Sequence, residues 1–316
     1  MNDAYKAPTS GLFGKILFIT LASFVGTEFL TGATPVFPSA WLSPAFLIVI
    51  VLYGSGVLLI REATVIWKKG WLTILSFGVA YAIIEEGIFA KTWFAALPIT
   101  YGKWLGVNWS FGIAETIVEA LFSIALPIAL SRVAFSGSET ERWLSNKSLA
   151  TTGLTYLFVV GLGFVSSIHE YTQITLQLPL ALFMITALIY IGCRIGSPLA
   201  QIPSRGALAS PKMLALLYFG FTLVTFLLAP LWMTPAPPHP LPPSLAGFLA
   251  IIVLILMFSF LHKTSFSNRQ LFAIVSGIAS VMFLVSIFGP QNRVGAPFGV
   301  IMYLGLLAIA WRGMRH

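Results

Sequence analysis

The stretch WLTILSFGVAYAIIEEGIFAK, residues 71–91, decides the fold, because it is apolar over the length of a membrane crossing and yet carries two adjacent glutamates. A membrane-spanning helix needs about 20 predominantly apolar residues. Of the 316 residues in the chain, 58% are hydrophobic and 9% are charged, whereas soluble domains carry roughly 25% charged residues. We therefore predict an all-α, polytopic bundle of transmembrane helices, in which Glu85 and Glu86 need a physical reason for their depth.

Ten apolar runs of spanning length follow one another along the chain. They begin near Lys15, Pro44, Trp71, Trp109, Ala150, Leu176, Lys212, Ser244, Leu271 and Val294. No loop between them is long enough to fold separately, so we predict one integral membrane domain over residues 1–316. Its motif-bearing core covers about residues 71–175, and residues 176–316 add further helices.

The basic residues predict the orientation of this bundle. If the N-terminus is cytoplasmic, all 18 lysines and arginines except Lys91, Lys103 and Arg293 fall on the cytoplasmic side. This asymmetry follows the positive-inside rule and predicts that both termini lie in the cytoplasm, in a multi-pass protein of the plasma or inner cell membrane. The net charge of +8 is then explained by membrane topology, and we do not expect a nucleic acid partner.

The glutamates of the third and fourth helices reach a similar depth. At 1.5 Å per residue, Glu85 lies about 21 Å along its helix from Trp71, which is roughly 10 Å below the outer face of a ~30 Å apolar core. The fourth helix enters from the outer face, and Glu115 and Glu119 lie four residues apart on one side of it. These carboxylates are therefore predicted to meet in the outer half of the membrane.

Two further polar residues fall at the same level. Glu28 lies in the outer part of the first helix, and His169 lies near the outer end of the fifth. Each charge at the bilayer centre costs ~2.5–3.5 kcal/mol on insertion scales, so several buried glutamates cannot all be ionised and unpaired. A carboxylate beside a histidine can act as a general base on water, and this chemistry suits hydrolysis of a peptide or ester bond next to the bilayer.

Three short motifs occur in order on the third, fourth and fifth helices. They are the Glu85-Glu86 pair, FGIAE at residues 111–115 and HEYTQ at residues 169–173. Together they resemble the motifs of the CPBP and PrsW-type intramembrane glutamic protease superfamily, over about residues 75–175. That superfamily carries a Glu-Glu pair, then Phe-x-x-x-His or Phe-x-x-x-Glu, then His-x-x-x-Asn or His-x-x-x-Asp.

The resemblance implies a metal-independent protease without a cofactor, in which Glu85 or Glu86 activates the water. It puts Glu115 at the second catalytic position and His169 at the third. With Glu119, these residues form the predicted catalytic set.

We expect Phe111, Gln173 and Glu28 to contact a substrate, which would be a membrane-embedded peptide or a lipidated substrate. Gln173 departs from the usual Asn or Asp. Lys91 lies farther from the Glu pair than the superfamily's basic residue, and we predict that it snorkels to the outer interface.

Other functions compete with the hydrolase prediction. A proton-coupled transporter of a small solute would also place protonatable glutamates and helix-breaking Gly and Pro residues at mid-depth. A non-catalytic scaffold or complex subunit would use the polar cluster to bind a partner membrane protein or a second copy of the chain. The segments YGSG (53–56) and GLG (161–163) are typical of close helix packing.

The sequence argues against a zinc site. Zinc prefers several His or Cys ligands, and the predicted site holds only His169, while Cys193 is the one cysteine of the chain. A site for a harder cation, built from carboxylates alone, stays open as an alternative.

Overall fold

The computed structural model describes residues 11–31, 33, 43–94, 103–104, 106–166, 168–170, 174–195, 210–233, 266–288 and 295–314. Over these ranges the chain is mainly helical. The α-helices are α1 (Leu12–Phe24), α2 (Pro44–Ile66), α3 (Trp71–Ile83), α4 (Trp109–Val118), α5 (Leu126–Ala134), α6 (Asn146–Ser166), α7 (Ile174–Ile195), α8 (Pro211–Met233), α9 (Asn268–Phe288) and α10 (Gly295–Gly313).

Three helices change from α to π geometry without a break. The π-helical segments are π1 (Val25–Phe29) after α1, π2 (Ile84–Phe89) after α3 and π3 (Glu119–Ala125) between α4 and α5. The described residues also include a short antiparallel ribbon of β1 (Lys103–Trp104) and β2 (Val107–Asn108). A single 3-10 turn, Ile168–Glu170, follows α6.

Local sequence signals explain where α2 begins. The Ser43 side chain accepts a hydrogen bond from the Phe46 amide at 3.2 Å, which satisfies one of the free N–H groups of the first turn. Pro44 takes the first helical position, where its missing N–H costs nothing. The helix therefore begins at Pro44, as the sequence predicts.

Among the described residues, seven helices are long and apolar enough to cross a membrane: Leu12–Phe29, Pro44–Ile66, Trp71–Phe89, Phe111–Ala134, Asn146–Ser166, Ile174–Arg194 and Asn268–Ile287. Two shorter apolar helices are Pro211–Val224 and Pro297–Gly313. The chain is thus a polytopic, all-α membrane protein. The span predicted from Ser244 lies outside the described residues. The number of ten spans and the cytoplasmic placement of both termini stay predictions.

The span Phe111–Ala134, formed by α4, π3 and α5, is the centre of the described bundle. Most of its residues are buried. Helices α1, α9 and α10 pack against α5, while α3 packs against π3. By contrast, α6 and α7 are mostly exposed and show side chains such as Leu157 and Phe183 on their outer faces. These two helices therefore contribute the apolar surface expected to face lipid.

A cavity lined by five glutamates

Five glutamates from three helical spans line one cavity of about 150 Å³. We call it the acid cavity. Its glutamates are Glu28, Glu85, Glu86, Glu115 and Glu119. The glutamates that the sequence places at one depth are thus brought together.

The acid cavity forms where the three π segments meet. Glu28 lies in π1, Glu85 and Glu86 lie in π2, and Glu119 begins π3. Glu115 lies one turn earlier, on α4. A π segment inserts an extra residue into the helical repeat and occurs frequently at functional sites. Because the insertion turns the following side chains, it changes which residues face the cavity.

Small residues allow the spans around the cavity to approach each other. A Cβ atom at Gly78 of α3 would lie 3.1 Å from the Ala120 carbonyl oxygen of π3, and one at Gly26 of π1 would lie 3.2 Å from the Phe122 carbonyl oxygen. A larger side chain at either position would have to move backbone. The two glycines therefore set the separation of the segments that carry the glutamates.

The closest carboxylates are those of Glu85, Glu86 and Glu119. Each offers an oxygen within 4.8 Å of the other two, and their exposed fractions are only 5%, 9% and 2%. No lysine, arginine or histidine is among the described residues that line the cavity. Three like charges at this separation and burial are strongly unfavourable, so the three groups must share protons or a counter-ion.

Tyr53 of α2 links two of the glutamates. Its hydroxyl donates to Glu28 Oε1 at 2.9 Å and lies 3.3 Å from Glu119 Oε1. Because a phenol has one proton and can also accept, the hydroxyl can donate to one carboxyl group while accepting from the other. The acid cavity thereby contains a connection along which a proton can pass between π1 and π3.

Ser123 continues this connection on the other side of Glu119. Its hydroxyl donates to Glu119 Oε2 and lies 2.6 Å from the Thr27 hydroxyl. The Ser23 hydroxyl donates to the Ser123 carbonyl at 2.6 Å. Both oxygens of Glu119 are therefore held by hydroxyl groups, and its orientation is fixed.

The two members of the Glu pair have different surroundings. Glu86 accepts a hydrogen bond at Oε2 from the Thr92 hydroxyl. Glu85 Oε2 is buried, and no described residue donates to it or accepts from it. A buried carboxyl oxygen without a partner is costly. Glu85 thus lines the cavity while one of its carboxyl oxygens has no hydrogen-bond partner among the described residues.

Lys91 corrects one of our predictions. Instead of snorkelling outward, it is completely buried, and its Nζ donates to the Gly163 and Phe164 carbonyls at 3.0 Å each. These carbonyls belong to the last turn of α6, which has no intrahelical donors and attracts a cation. Lys91 therefore connects the segment after π2 to α6 by hydrogen bonds. Its own backbone lies in the left-handed region, at φ 60°.

The other predicted site residues are not part of the cavity lining. His169 is exposed on the 3-10 turn after α6, and Phe111 is half-buried in α4. Neither is among the described residues around the cavity, and Gln173 lies outside the described residues. Their predicted roles stay predictions, and the arrangement above does not depend on them.

Four polar residues around the glutamates escaped sequence reasoning: Thr27, Tyr53, Thr92 and Ser123. One signal was available for Ser123, which lies four residues after Glu119 and hence on the same helix face. Tyr53 precedes a Gly-Ser-Gly segment that we interpreted only as helix packing. That interpretation holds for its neighbours, since Gly54 and Gly56 contact Thr20 and Tyr81 closely.

Comparison of the chain with family models, with curated proteins and with solved structures finds no match. The fold and the acid cavity define a polytopic membrane protein with a cluster of buried carboxylates.

Proposed function

We propose that the protein is an intramembrane hydrolase that uses a glutamate, Glu85, as its general base. The observation that carries the proposal is that Glu85 lines the cavity with an Oε2 that has no hydrogen-bond partner among the described residues, while hydroxyl groups hold the neighbouring carboxylates. A base must have a free lone pair within reach of the water it activates. No described residue occupies the lone pairs of Glu85 Oε2, while Glu86 and Glu119 are oriented by Thr92 and Ser123.

The reaction needs only a water molecule and a carbonyl substrate. Glu85 takes a proton from the water, and the hydroxide attacks the carbonyl carbon. The C–N or C–O bond then breaks, and the proton passes from Glu85 to the leaving amine or alkoxide. Glu119 lies close enough to Glu85 to share that proton until the leaving group takes it. No metal or redox partner is required for this balance.

The substrate class follows from the surroundings of the cavity. The spans that carry the glutamates are apolar helices, so a substrate must approach through the bilayer or from its surface. A membrane-embedded peptide or a lipidated substrate fits this route. The resemblance to the CPBP and PrsW-type superfamily supports the same class through the Glu85-Glu86 pair.

The test compares cleavage by matched variants in the membrane of the expressing cell. Glu85→Gln keeps the shape of the side chain and removes the base, so cleavage should fall about 10²- to 10⁴-fold. Glu141→Gln is the control, because Glu141 is exposed and lines neither cavity. New termini in membrane proteins are counted by mass spectrometry after expression of each variant.

The expected result is a set of new termini with the wild type and Glu141→Gln that is lost with Glu85→Gln at equal protein levels. The same termini at the same abundance with Glu85→Gln would reject the hydrolase proposal. A scaffold or subunit function would then explain the fold better.

A second function is favoured by the hydrogen-bonded connection from Glu28 through Tyr53 and Glu119 to Ser123. A proton-coupled transporter needs such a path. In proteoliposomes with an internal pH dye, a transporter would move protons when its solute is added, and Glu119→Gln would stop this movement. A hydrolase would release cleaved product without proton flux. The same proteoliposome preparation therefore distinguishes the two functions.

A further inference from the structure

A second cavity, of about 210 Å³, lies between α2, α3, α5 and the segment that joins α5 to α6. Its lining includes Arg61, Arg132, Ser131, Trp143 and Glu139. We call it the arginine cavity. No glutamate of the acid cavity is among its lining residues, so it forms a separate site.

The two arginines differ in the number of partners that their guanidinium groups have. The Arg61 guanidinium donates to Glu62 and to the Ser138 carbonyl at 3.0 Å, and it lies 3.8 Å from the centre of the Trp143 ring. Arg132 has a buried Nε without a partner, and no described residue makes a hydrogen bond or a 4.0 Å ion pair with its guanidinium. The hydrogen-bond donors of this permanent positive charge are thus without a partner among the described residues.

The acidic group on the same lining, Glu139, acts on Arg132 from a longer distance. Its charge interacts with the guanidinium, but the two form no ion pair within 4.0 Å, and Glu139 Oε2 accepts from the Gly137 amide at 3.1 Å. The charge of Arg61 is already offset by Glu62. A guanidinium stays charged at all physiological pH values and has five N–H donors in a planar fork. Because no described residue accepts from the Arg132 fork, the arginine cavity offers free hydrogen-bond donors to an anion.

The volume of the arginine cavity and its position along the span limit which anions can bind there. A cavity of about 210 Å³ is smaller than the roughly 300–1,000 Å³ of sites for drug-sized ligands. Arg132 lies in the last turn of the span Phe111–Ala134, at the level where lipid phosphates are found. The same end of the bundle carries Lys15, which pairs with Glu141. Basic pockets between transmembrane helices hold anionic headgroups.

We propose that the arginine cavity binds a phosphate group, with the Arg132 guanidinium donating to it through its fork. The phosphate belongs either to the headgroup of an anionic phospholipid or to a soluble phosphate. Arginine forks match phosphate oxygens in a two-donor geometry. The proposal is independent of the function assigned to the acid cavity.

The test measures the thermal unfolding midpoint of the purified full chain in non-ionic detergent. The probes are inorganic phosphate and short-chain phosphatidylglycerol, each compared with chloride at equal ionic strength. A ligand that binds the folded state raises the midpoint with concentration. Stabilisation by phosphatidylglycerol at lower concentration than phosphate identifies a lipid headgroup, and the reverse order identifies a soluble phosphate. No stabilisation by either probe overturns the proposal.

The variants locate the effect. Arg132→Gln should weaken the binding of the active probe about 10- to 100-fold, the usual cost of losing hydrogen bonds to a charged group. Arg312→Gln is the matched control, since Arg312 is exposed at the same end of the bundle, next to Gly313, whose carbonyl accepts from Ser136 at 3.1 Å. Equal loss in both variants, or no loss in Arg132→Gln, contradicts the assignment.

A third variant keeps the test decisive if Arg132→Gln does not fold. Arg132→Lys retains the charge and loses the two-donor fork, so binding should persist but weaken several-fold. Binding by Arg132→Lys that equals the wild type would reject a fork-bound phosphate.

Discussion

Buried glutamates occur in two regions of this molecule and are treated in opposite ways. Glu62, on α2, is completely buried and accepts from Arg61 and from the Trp143 and Leu144 amides at 3.1 and 3.2 Å. Glu85, in the acid cavity, is almost as deeply buried but has an oxygen without a partner among the described residues. A buried glutamate therefore has hydrogen-bond partners for both carboxyl oxygens in one region, whereas in the other region one carboxyl oxygen has no partner among the described residues.

The difference shows what each region is built for. Glu62 holds the segment after α5 against α2, and all its donors are backbone amides or a paired arginine. A satisfied buried ion pair fixes structure, but it offers no free lone pair for a reaction. If the hydrolase proposal holds, the acid cavity does the reverse, since its close carboxylates cost stability and leave a carboxyl oxygen of Glu85 available as the base. Functional sites commonly pay for reactivity in this way.

The largest expected effect on stability comes from breaking the Arg61–Glu62 pair. Arg61→Met leaves a buried carboxylate uncompensated, and we expect the free energy of unfolding to fall by about 3–5 kcal/mol. Reversible unfolding in a denaturing detergent titration measures this loss.

The matched control for Arg61→Met is Glu141→Gln, which removes the Lys15–Glu141 ion pair, 3.7 Å long with Glu141 exposed. An exposed pair contributes about 1 kcal/mol or less. If Arg61→Met lowers the free energy of unfolding no more than the control does, the Arg61–Glu62 pair does not stabilise the fold. The proposed difference between Glu62 and Glu85 would then be wrong.

A smaller effect is expected from Ser123→Ala, which sharpens the comparison within the acid cavity. The substitution removes the donor to Glu119 Oε2 and the contact with Thr27, so the free energy of unfolding should fall by about 1–3 kcal/mol. Ser280→Ala is the control, since that hydroxyl bonds only the Ser276 carbonyl of its own helix, at 2.7 Å, and should change stability by about 0.5 kcal/mol or less. Equal values for the two variants would show that Glu119 is not held by Ser123.

Much of the fold was accessible from the sequence, because length and hydropathy determine which segments cross a membrane. The starts of α2, α3 and α4 at Pro44, Trp71 and Trp109 are confirmed. The sequence also predicted that the glutamates lie at a similar depth in the membrane, because the position of a residue along a helix depends only on the rise per residue.

The direction in which each side chain points around its helix axis could not be predicted from the sequence in the same way. Each π segment adds a residue to the repeat, so the faces of Glu28, Glu85 and Glu119 differ from those of an uninterrupted α-helix. The contact of Lys91 with the carbonyls of α6 depends on a tertiary approach that no local pattern encodes. For the same reason, Tyr53 was not recognised as the link between two carboxylates.

The most direct measurement of the central claim compares the unfolding free energies of Glu85→Gln and Glu62→Gln. We expect Glu85→Gln to be as stable as the wild type or more stable, because it removes like-charge repulsion among the close carboxylates. Glu62→Gln should lose about 3–5 kcal/mol, because Arg61 is then left without its counter-charge. Equal destabilisation by the two substitutions would contradict the account, since Glu85 would then be a structural carboxylate like Glu62.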